Sequence, residues 1–323
     1  MPDLKPIRDG FGEGLLELGA SNPRVVALSG DLEDSTRAIW FKQKYPNRFI
    51  SVGIAEQDMV AMAAGLALAG KIPFACSFST FLTGKAWEQI RLAVCYQQAN
   101  VKLIGSHGGL SVGADGATAE SLEEFTTLRA LPHLTVLAPC DAIEAKKATL
   151  AAAAHVGPVF LRLGRNPMPL LTQADTPFTI GRAHVLHDGE DVALIATGIM
   201  VNYALQAAEL LQAQHVSARV INCPTVKPLD RATILAAARE TGALVTAEEH
   251  TVLGGLGGAV AELVVQEHPV PMRLVGIQDR FGTSGSPDEL LRAFGLTPEA
   301  ITAAALDVVK HKTHARPQPT LRR

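Results

Sequence analysis

Short apolar runs alternate with longer segments of helical pattern through the first half of the chain. The predicted strands cover 25–28, 49–52, 72–76, 101–104, 134–138 and 159–163, and the predicted helices cover 7–19, 57–70, 83–97, 121–130 and 142–154. Strands that are apolar throughout are typical of a parallel sheet with helices on both faces. We therefore expect a doubly wound α/β domain with a parallel six-stranded sheet.

The alternation stops between Asn166 and Gly181 and then begins again. Pro167, Pro169 and Pro177 lie in this break with polar residues between them, a composition typical of a linker. Beyond it, strands are predicted at 192–196, 218–221, 243–246 and 272–275, and helices at 203–214, 232–241, 258–266, 287–293 and 298–310. We expect one domain at 1–166, a linker at 167–184 and a second doubly wound domain at 185–323, with a frayed basic tail from His311 onward.

Composition excludes several classes of protein. Among the 323 residues 47% are apolar and 19% are charged, which favours sizeable cores over disorder. A net charge of −3 argues against nucleic acid as a partner. The four cysteines form no CxxC pair, so we expect reduced, buried thiols. The N-terminus has no apolar signal core, and the longest charge-free stretch, 192–208, is shorter than the ~20 apolar residues of a membrane span. We expect a soluble, cytoplasmic protein without a membrane partner.

Residues able to do chemistry follow the ends of the predicted strands. In a doubly wound sheet, ligands bind outside the carboxyl ends of the strands. The residues at these positions are Gly30 to Ser35, Glu56, Phe78, Phe81, Ser106, His107 and Arg165. They are scattered in sequence but share one predicted sheet edge, which is the expected place for a site.

Six short motifs stand out along the chain. They are Gly53-Ile54-Ala55-Glu56-Gln57, Ser79-Thr80-Phe81-Leu82, Ser106-His107, Gly113-Ala114-Asp115-Gly116-Ala117-Thr118, Pro139-Cys140-Asp141 and Leu161-Arg162-Leu163-Gly164-Arg165-Asn166. In this order and spacing the chain resembles the transketolase superfamily of thiamine diphosphate enzymes. The resemblance implies a pyrimidine-binding domain followed by the C-terminal domain of that family, which has a mostly parallel sheet.

The family's diphosphate-binding domain has no counterpart in this sequence. Its Gly-Asp-Gly motif, which helps hold the diphosphate and Mg²⁺ or Ca²⁺, does not occur here, and Asp115-Gly116 stands in a different motif. The resemblance therefore implies the C-terminal subunit of a split transketolase. An N-terminal partner subunit would supply the missing domain in an α2β2 heterotetramer, and no metal ligand is expected in this chain.

The resemblance also implies the roles of the cofactor residues. Glu56 would hydrogen-bond a ring nitrogen of the aminopyrimidine and so favour the imino form that takes the thiazolium proton. Phe81 would stack on the pyrimidine and Phe78 would line its pocket. An acid in a first helical turn also suits the helix dipole, and phenylalanines are usually ordinary core residues.

Further residues match the substrate site of transketolases. Arg8, Ser35, Arg165 and His107 match a site for a terminal phosphate, and Asp115 matches the residue that binds a sugar hydroxyl. Glu56 and His107 are the catalytic candidates. Taken singly, each of these residues also has an ordinary explanation: a solvated helix residue, a helix cap, a loop hydrogen bond or a turn.

Two departures leave the substrate open. Ala119 stands where the family usually has a histidine, and Gly84 stands where transketolases carry an aromatic residue and deoxyxylulose-phosphate synthases an arginine. We expect a ketol transferase acting on sugar phosphates. The alternatives are the β subunit of a 2-oxoacid dehydrogenase, an enzyme similar to 1-deoxyxylulose-5-phosphate synthase, and a subunit that serves assembly only.

Two further motifs invite a functional interpretation that we do not favour. The run from Gly254 to Gly258 lacks the G-x-G-x-x-G register of a dinucleotide loop, so we expect a turn before a helix. Glu248-Glu249-His250 could be metal ligands, but no suitably spaced further ligand follows. We expect these three residues to form a surface or subunit contact.

Overall fold

The computed structural model describes residues 3–312, so most of the predicted C-terminal tail, 313–323, lies outside the described residues. Its strands are β1 (Leu4–Pro6), β2 (Val25–Ser29), β3 (Phe49–Ser51), β4 (Ile72–Phe78), β5 (Lys102–Ser106), β6 (Thr135–Leu137), β7 (Val159–Leu163), β8 (Pro167–Pro169), β9 (His184–His187), β10 (Val192–Ala196), β11 (Ala218–Asn222), β12 (Thr225–Lys227), β13 (Leu244–Thr251) and β14 (Met272–Ile277).

Its α-helices are α1 (Ile7–Ser21), α2 (Glu33–Thr36), α3 (Ile39–Lys44), α4 (Glu56–Leu68), α5 (Trp87–Gln89), α6 (Glu124–Arg129), α7 (Ala142–Ala154), α8 (Met200–Gln212), α9 (Arg231–Thr241), α10 (Leu256–Glu267), α11 (Pro287–Ala293) and α12 (Pro298–Lys310). Two 3₁₀ turns, Pro46–Arg48 and Leu110–Val112, and two π-helical segments, Phe81–Lys85 and Ile90–Tyr96, complete the regular structure. The chain is thus an α/β protein, as predicted.

The first sheet has seven strands in the order β12-β6-β7-β5-β4-β2-β3. The six strands from β6 to β3 are mutually parallel. Strands β2, β4, β5, β6 and β7 are buried throughout, because helices cover both faces of the sheet. The predicted parallel six-stranded sheet is confirmed.

The seventh strand of this sheet comes from the second half of the chain. Strand β12 pairs antiparallel with β6, beside a cis peptide bond between Lys227 and Pro228. The sequence pattern did not predict it, because a three-residue strand between prolines carries no detectable periodicity. The C-terminal half therefore completes the sheet of the N-terminal half.

The second sheet has five strands in the order β14-β13-β10-β11-β9. Strands β14, β13, β10 and β11 are parallel, and β9 joins the edge in the antiparallel direction. The mostly parallel second sheet is confirmed as well. Another small sheet, unpredicted, pairs β1 with β8, where Pro167 and Pro169 are tolerated because a two-stranded ribbon has two edges.

The predicted helix 83–97 is irregular. Its place is taken by π-helical turns on either side of the short helix α5, and the first of these turns begins at Phe81. Gly84, which is open on its Cβ side, lies within that first turn. π-helical turns occur frequently at functional sites.

Helices α1 and α7 pack closely on one face of the first sheet. A Cβ at Gly10 would lie 1.9 Å from the carbonyl oxygen of Ala142, so only glycine allows this approach. The four cysteines are all buried and unpaired. No helix within residues 3–312 combines the length and the apolar character needed to cross a membrane.

Candidate active site

The predicted site residues lie along the carboxyl edge of the first sheet. Strands β7, β5, β4, β2 and β3 are consecutive neighbours, and each of them ends at, or a few residues before, one of the predicted residues. Arg165, His107, Phe78, Ser35 and Glu56 therefore follow one another in the order of the strands. The arrangement gathers residues that are distant in sequence, as the strand-end rule predicts.

Glu56 is the first residue of α4 and is 2% exposed. The chain reaches it through a tight turn at Gly53, whose φ of +82° suits glycine. The hydroxyl of Ser77 donates to Oε1 of Glu56 at 3.1 Å, and Nζ of Lys85 donates to Oε2 at 3.2 Å. The carboxyl group is thus buried and held on one oxygen by a neutral donor and on the other by a cation.

The two predicted aromatic residues lie beside Glu56. Phe78 ends β4 and Phe81 begins the π-helical turn, and their ring centroids are 5.6 Å apart with an interplanar angle of 21°. The ring of His107 also stacks on Phe78, with the two centroids 3.9 Å apart. Nζ of Lys85 lies 4.5 Å from the centroid of Phe81. Lys85 thus bridges the buried carboxyl group and a row of flat side chains formed by Phe81, Phe78 and His107.

His107 is held in an unusual backbone conformation at the end of β5. Its φ is +57°, in the left-handed region, and its Nδ1 is 2.9 Å from the hydroxyl of Ser106. Burial, together with the positive charges of Arg8, Arg165 and Arg37, lowers the pKa of His107 to about 3. The imidazole is therefore neutral at pH 7 and can exchange hydrogen bonds with a substrate without adding charge.

Three guanidinium groups converge near His107. Arg8 donates through Nη1 to the carbonyl oxygen of Ser35 at 2.7 Å, while its buried Nε has no hydrogen-bond partner within residues 3–312. Burial, and next the charge of Arg37, lower the pKa of Arg8. Cations that destabilise one another in this way form a natural site for an anion.

Ser35, Arg165 and Asp115 take part in contacts within the protein. Ser35 contributes its carbonyl oxygen to Arg8, and the phosphate contact of its hydroxyl group stays a prediction. Nη1 of Arg165 donates to the carbonyl oxygen of Val112 at 2.8 Å and lies 3.5 Å from Oδ1 of Asp115. Arg165 and Asp115, which were expected to bind different parts of a sugar phosphate, thus pair with each other across the edge of the site.

Sequence reasoning missed Arg37 and Lys85. Arg37 has a φ of +68° and its Nε donates to Asp9 at 2.7 Å, which fixes the guanidinium beside Arg8. Its position two residues after Ser35, directly after the short helix α2, could have indicated it. Lys85 reaches Glu56 across two different elements, and no local pattern could have revealed that contact.

The Glu248-Glu249-His250 motif is buried within the chain, so the expected surface or subunit contact is wrong. All three side chains are at most 1% exposed, in β13 where it faces the first domain. Glu248 accepts the N–H of Leu256 at 2.6 Å and of Gly257 at 2.8 Å, which secures the start of α10. Within residues 3–312 no group of three or more potential ligands is placed to hold a metal ion.

His250 and Arg162 connect this strand to the first domain. The N–H of Phe125 donates to Nε2 of His250, while Nδ1 of His250 lies 2.7 Å from the carbonyl oxygen of Thr251. Nη2 of Arg162 donates to the carbonyl oxygen of Glu249 at 2.7 Å, and Nε of Arg162 binds the carboxylate of Glu124. These polar contacts fix the second domain behind the strand that leads to Arg165.

The run from Gly254 to Gly258 forms the expected turn before a helix. Gly254 has a φ of +77°, and α10 begins at Leu256. A Cβ at Gly257 would lie 2.6 Å from a methyl carbon of Leu274. The glycines thus serve the turn and close packing.

Comparison with protein-family models places two domains in the chain. Residues 5–169 match the transketolase pyrimidine-binding domain, and residues 181–301 match the transketolase C-terminal domain. The chain belongs to the transketolase family.

Individual members of the transketolase family match nearly the whole chain. The 6-deoxy-6-sulfo-D-fructose transketolase subunit SqwH of Clostridium sp. is 43% identical and covers 95% of both chains. An apulose-4-phosphate transketolase subunit of Phocaeicola vulgatus is 38% identical and covers 94% of this chain and 97% of its own.

A solved structure described as a split gene transketolase, inactive β4 tetramer, superimposes with a TM-score of 0.90. It is 42% identical and covers 95% of this chain and 99% of its own. The predicted resemblance to the C-terminal subunit of a split transketolase is confirmed. Two of these transketolase relatives are described as subunits, and their described substrates differ.

Proposed function

We propose that the chain is one subunit of a thiamine diphosphate-dependent transketolase that moves a two-carbon ketol unit from a ketose phosphate to an aldose phosphate. The observation that carries the proposal is the buried carboxyl group of Glu56 beside the stacked rings of Phe81 and Phe78. A carboxyl group next to an aromatic face can hold a flat, weakly basic heterocycle by one hydrogen bond and by stacking.

The residues present fit the pyrimidine half of thiamine diphosphate. Oε2 of Glu56 is engaged by the half-exposed side chain of Lys85, which a ring nitrogen can replace. Phe81 would carry the ring, and Phe78 would exclude water from its edge. When bound, the cofactor supplies an acidic thiazolium carbon whose conjugate base can attack a ketose carbonyl. The task of Glu56 is to hold a proton at the ring nitrogen, which favours the basic imino form of the aminopyrimidine.

The cationic end of the site supports an anionic substrate. Arg8, Arg37 and Arg165 surround the neutral His107, and the buried Nε of Arg8 lacks a partner within the described part of the chain. A terminal phosphate would satisfy these donors, and His107, beside them, would hydrogen-bond an oxygen at the same end of the substrate. A plain 2-oxoacid carries its carboxylate on the reacting carbon and has no second, distant anion to place there, which disfavours a 2-oxoacid dehydrogenase subunit.

For the donor sugar, we propose that it ends in an anionic group. One transketolase relative is described by a sulfo sugar and another by a sugar phosphate, and both substrates end in an anion. Ala119 removes the usual histidine from this loop, so the contacts near the reacting carbon differ from those of the family pattern. Assays with both a ketose 5-phosphate and 6-deoxy-6-sulfofructose would identify the preferred end group.

We further propose that the chain is active only with an N-terminal partner subunit, in an α2β2 assembly. The diphosphate and Mg²⁺ or Ca²⁺ would be held by that partner. The related β4 tetramer is described as inactive, which supports the same requirement here.

Reconstitution with the partner subunit tests the proposal. The two-chain complex should bind thiamine diphosphate with Mg²⁺ and cleave a ketose phosphate, and the isolated chain should do neither. Activity of the isolated chain would contradict the requirement for a partner. Glu56→Gln should abolish turnover while the complex still assembles. Asp58→Asn is the matched control, since Asp58 is an exposed acid in the same helical turn.

A further inference from the structure

Lys85 makes two contacts inside the cofactor half of the site. Its Nζ lies 3.2 Å from Oε2 of Glu56 and 4.5 Å from the centroid of the Phe81 ring. The side chain is 49% exposed, whereas the Glu56 side chain is 1% exposed. A flexible surface lysine therefore reaches inward to a buried carboxylate and covers an aromatic face on the way.

These two contacts are the ones that a bound pyrimidine needs. A ring nitrogen held by Glu56 must approach Oε2 or Oε1, and Oε1 already accepts the hydroxyl of Ser77. Nζ of Lys85 lies over the Phe81 ring, and Phe78 also stacks on that ring, so a pyrimidine ring stacked on Phe81 would take the place that Nζ now occupies. Lys85 and the pyrimidine cannot make both contacts at the same time.

The geometry points to Lys85 as a placeholder: its ammonium group occupies the pyrimidine position in the subunit without cofactor and leaves when the ring binds. This inference rests on the proposed function. In the free chain the lysine neutralises Glu56, which would otherwise be a buried charge without a cationic partner. In the assembled enzyme the ion pair must break before the ring can bind. The free energy needed to break it therefore weakens cofactor binding.

The backbone around Lys85 allows this exchange. Lys85 ends the π-helical turn that begins at Phe81, four residues before it, so both side chains lie on the same face. Gly84 has no atom within 4 Å of its Cβ position, which leaves open space beside the lysine. The lysine can therefore withdraw without displacing packed neighbours.

The placeholder role predicts opposite effects on stability and on cofactor affinity. Lys85→Met removes the ion pair, so the isolated chain should unfold at a lower temperature than the wild type. The same change removes a competitor for the pyrimidine position, so the two-chain complex should bind thiamine diphosphate about fivefold more tightly. This factor corresponds to the free energy of a partly exposed ion pair. Lys85→Arg should weaken cofactor binding, because a guanidinium group can hold a carboxylate with two hydrogen bonds.

Lys44→Met is the matched control. Lys44 is an exposed lysine whose Nζ lies 5.8 Å from the centroid of Tyr45. This variant removes a lysine that lies near an aromatic ring, as Lys85 does, but that forms no ion pair with a buried acid in the described residues. Neither the dissociation constant nor the unfolding temperature should move appreciably.

Calorimetric titration of the complexes with thiamine diphosphate and Mg²⁺, and thermal unfolding of the isolated chains, are the measurements. In the Glu56→Gln background, Lys85→Met should no longer lower the unfolding temperature, since the ion pair is already gone. A wild-type complex that binds thiamine diphosphate, with a Lys85→Met complex that binds it equally or more weakly, would overturn the placeholder and leave the proposed function standing. A wild-type complex that binds no thiamine diphosphate would overturn both.

Discussion

The carboxylate of Glu249, on strand β13, accepts the backbone N–H of Ser111, in the glycine-rich loop that follows β5. A Cβ at Gly109 in that loop would lie 2.3 Å from Cδ of Glu249, so the acid is packed directly against the loop backbone. The same loop carries Asp115 and begins at His107. A residue of the second domain thus supports the substrate edge of the first.

Glu249→Ala should therefore destabilise the protein. The substitution leaves the N–H of Ser111 without its acceptor. It also removes one of the carboxylates that lie near the buried guanidinium group of Arg162. We expect the free energy of unfolding to fall by about 1–3 kcal/mol, measured by urea denaturation. Glu262→Ala is the control, since Glu262 pairs with Arg129 but is 65% exposed, and it should cost at most about 1 kcal/mol. Equal losses in the two variants would contradict the supporting role of Glu249.

The low pKa of His107, about 3, predicts a pH dependence of stability. Below pH 6.5 this histidine is protonated in the unfolded chain, whereas in the folded chain it is protonated only near pH 3. The free energy of unfolding must therefore fall as the pH drops through this window. His107→Asn removes that contribution, so the variant should lose about 1–2 kcal/mol less than the wild type between pH 7 and pH 5.

The control for this pH experiment is His215→Asn. His215 is exposed and has a φ of +61°, close to the +57° of His107, so both substitutions place asparagine in the same backbone conformation. The pH dependence of the His215 variant should match the wild type. A His107 variant with the wild-type slope would show that His107 accepts its proton in the folded protein at an ordinary pH.

Arg37 should contribute to the binding of the anionic end of the substrate. Arg37→Gln removes one of three guanidinium groups near His107, and we expect the KM for a phosphorylated ketose to rise about fivefold with little change in kcat. An unphosphorylated ketose should show no such rise. Arg24→Gln removes the same charge from an exposed position at the amino end of β2 and should leave both constants unchanged. Equal effects on both ketoses would argue for a purely structural role of Arg37.

Lys102 is a buried lysine at the opposite edge of the sheet. It is fully buried, and its Nζ donates to the side chain of Asn100 and to the carbonyl oxygens of His155 and Gly157, at 2.7, 2.8 and 2.7 Å. Lys102→Met would remove the donor from the carbonyl oxygens of His155 and Gly157, while Oδ1 of Asn100 keeps the N–H of Gly157 at 3.2 Å. We expect the free energy of unfolding to fall by about 1–3 kcal/mol or more. Lys71→Met, at an exposed position, should stay within about 0.5 kcal/mol of the wild type in the same denaturation experiment.

The sequence was informative about the sheets because buried parallel strands are continuous apolar runs. It was uninformative about β12 and the pair β1–β8, which are three residues long and stabilised by partners elsewhere in the chain. The same division holds for the site. Residues at strand ends, such as Glu56 and His107, could be located from topology alone, while their cofactor and substrate roles stay predictions. The pairing of Arg165 with Asp115, and of Lys85 with Glu56, depends on side-chain contacts across distant segments, which no local pattern encodes.

Strand β12 bears on how this polypeptide can be divided. The sequence shows a proline-rich break between two α/β patterns, and such a break invites expression of the two halves as separate fragments. Yet the outermost strand on the β6 side of the first sheet is supplied by residues beyond that break. A fragment ending at residue 169 would expose the edge of β6, with its unpaired N–H and carbonyl groups open to other chains. We therefore expect such a fragment to self-associate, and the two halves to fold and unfold as one cooperative unit.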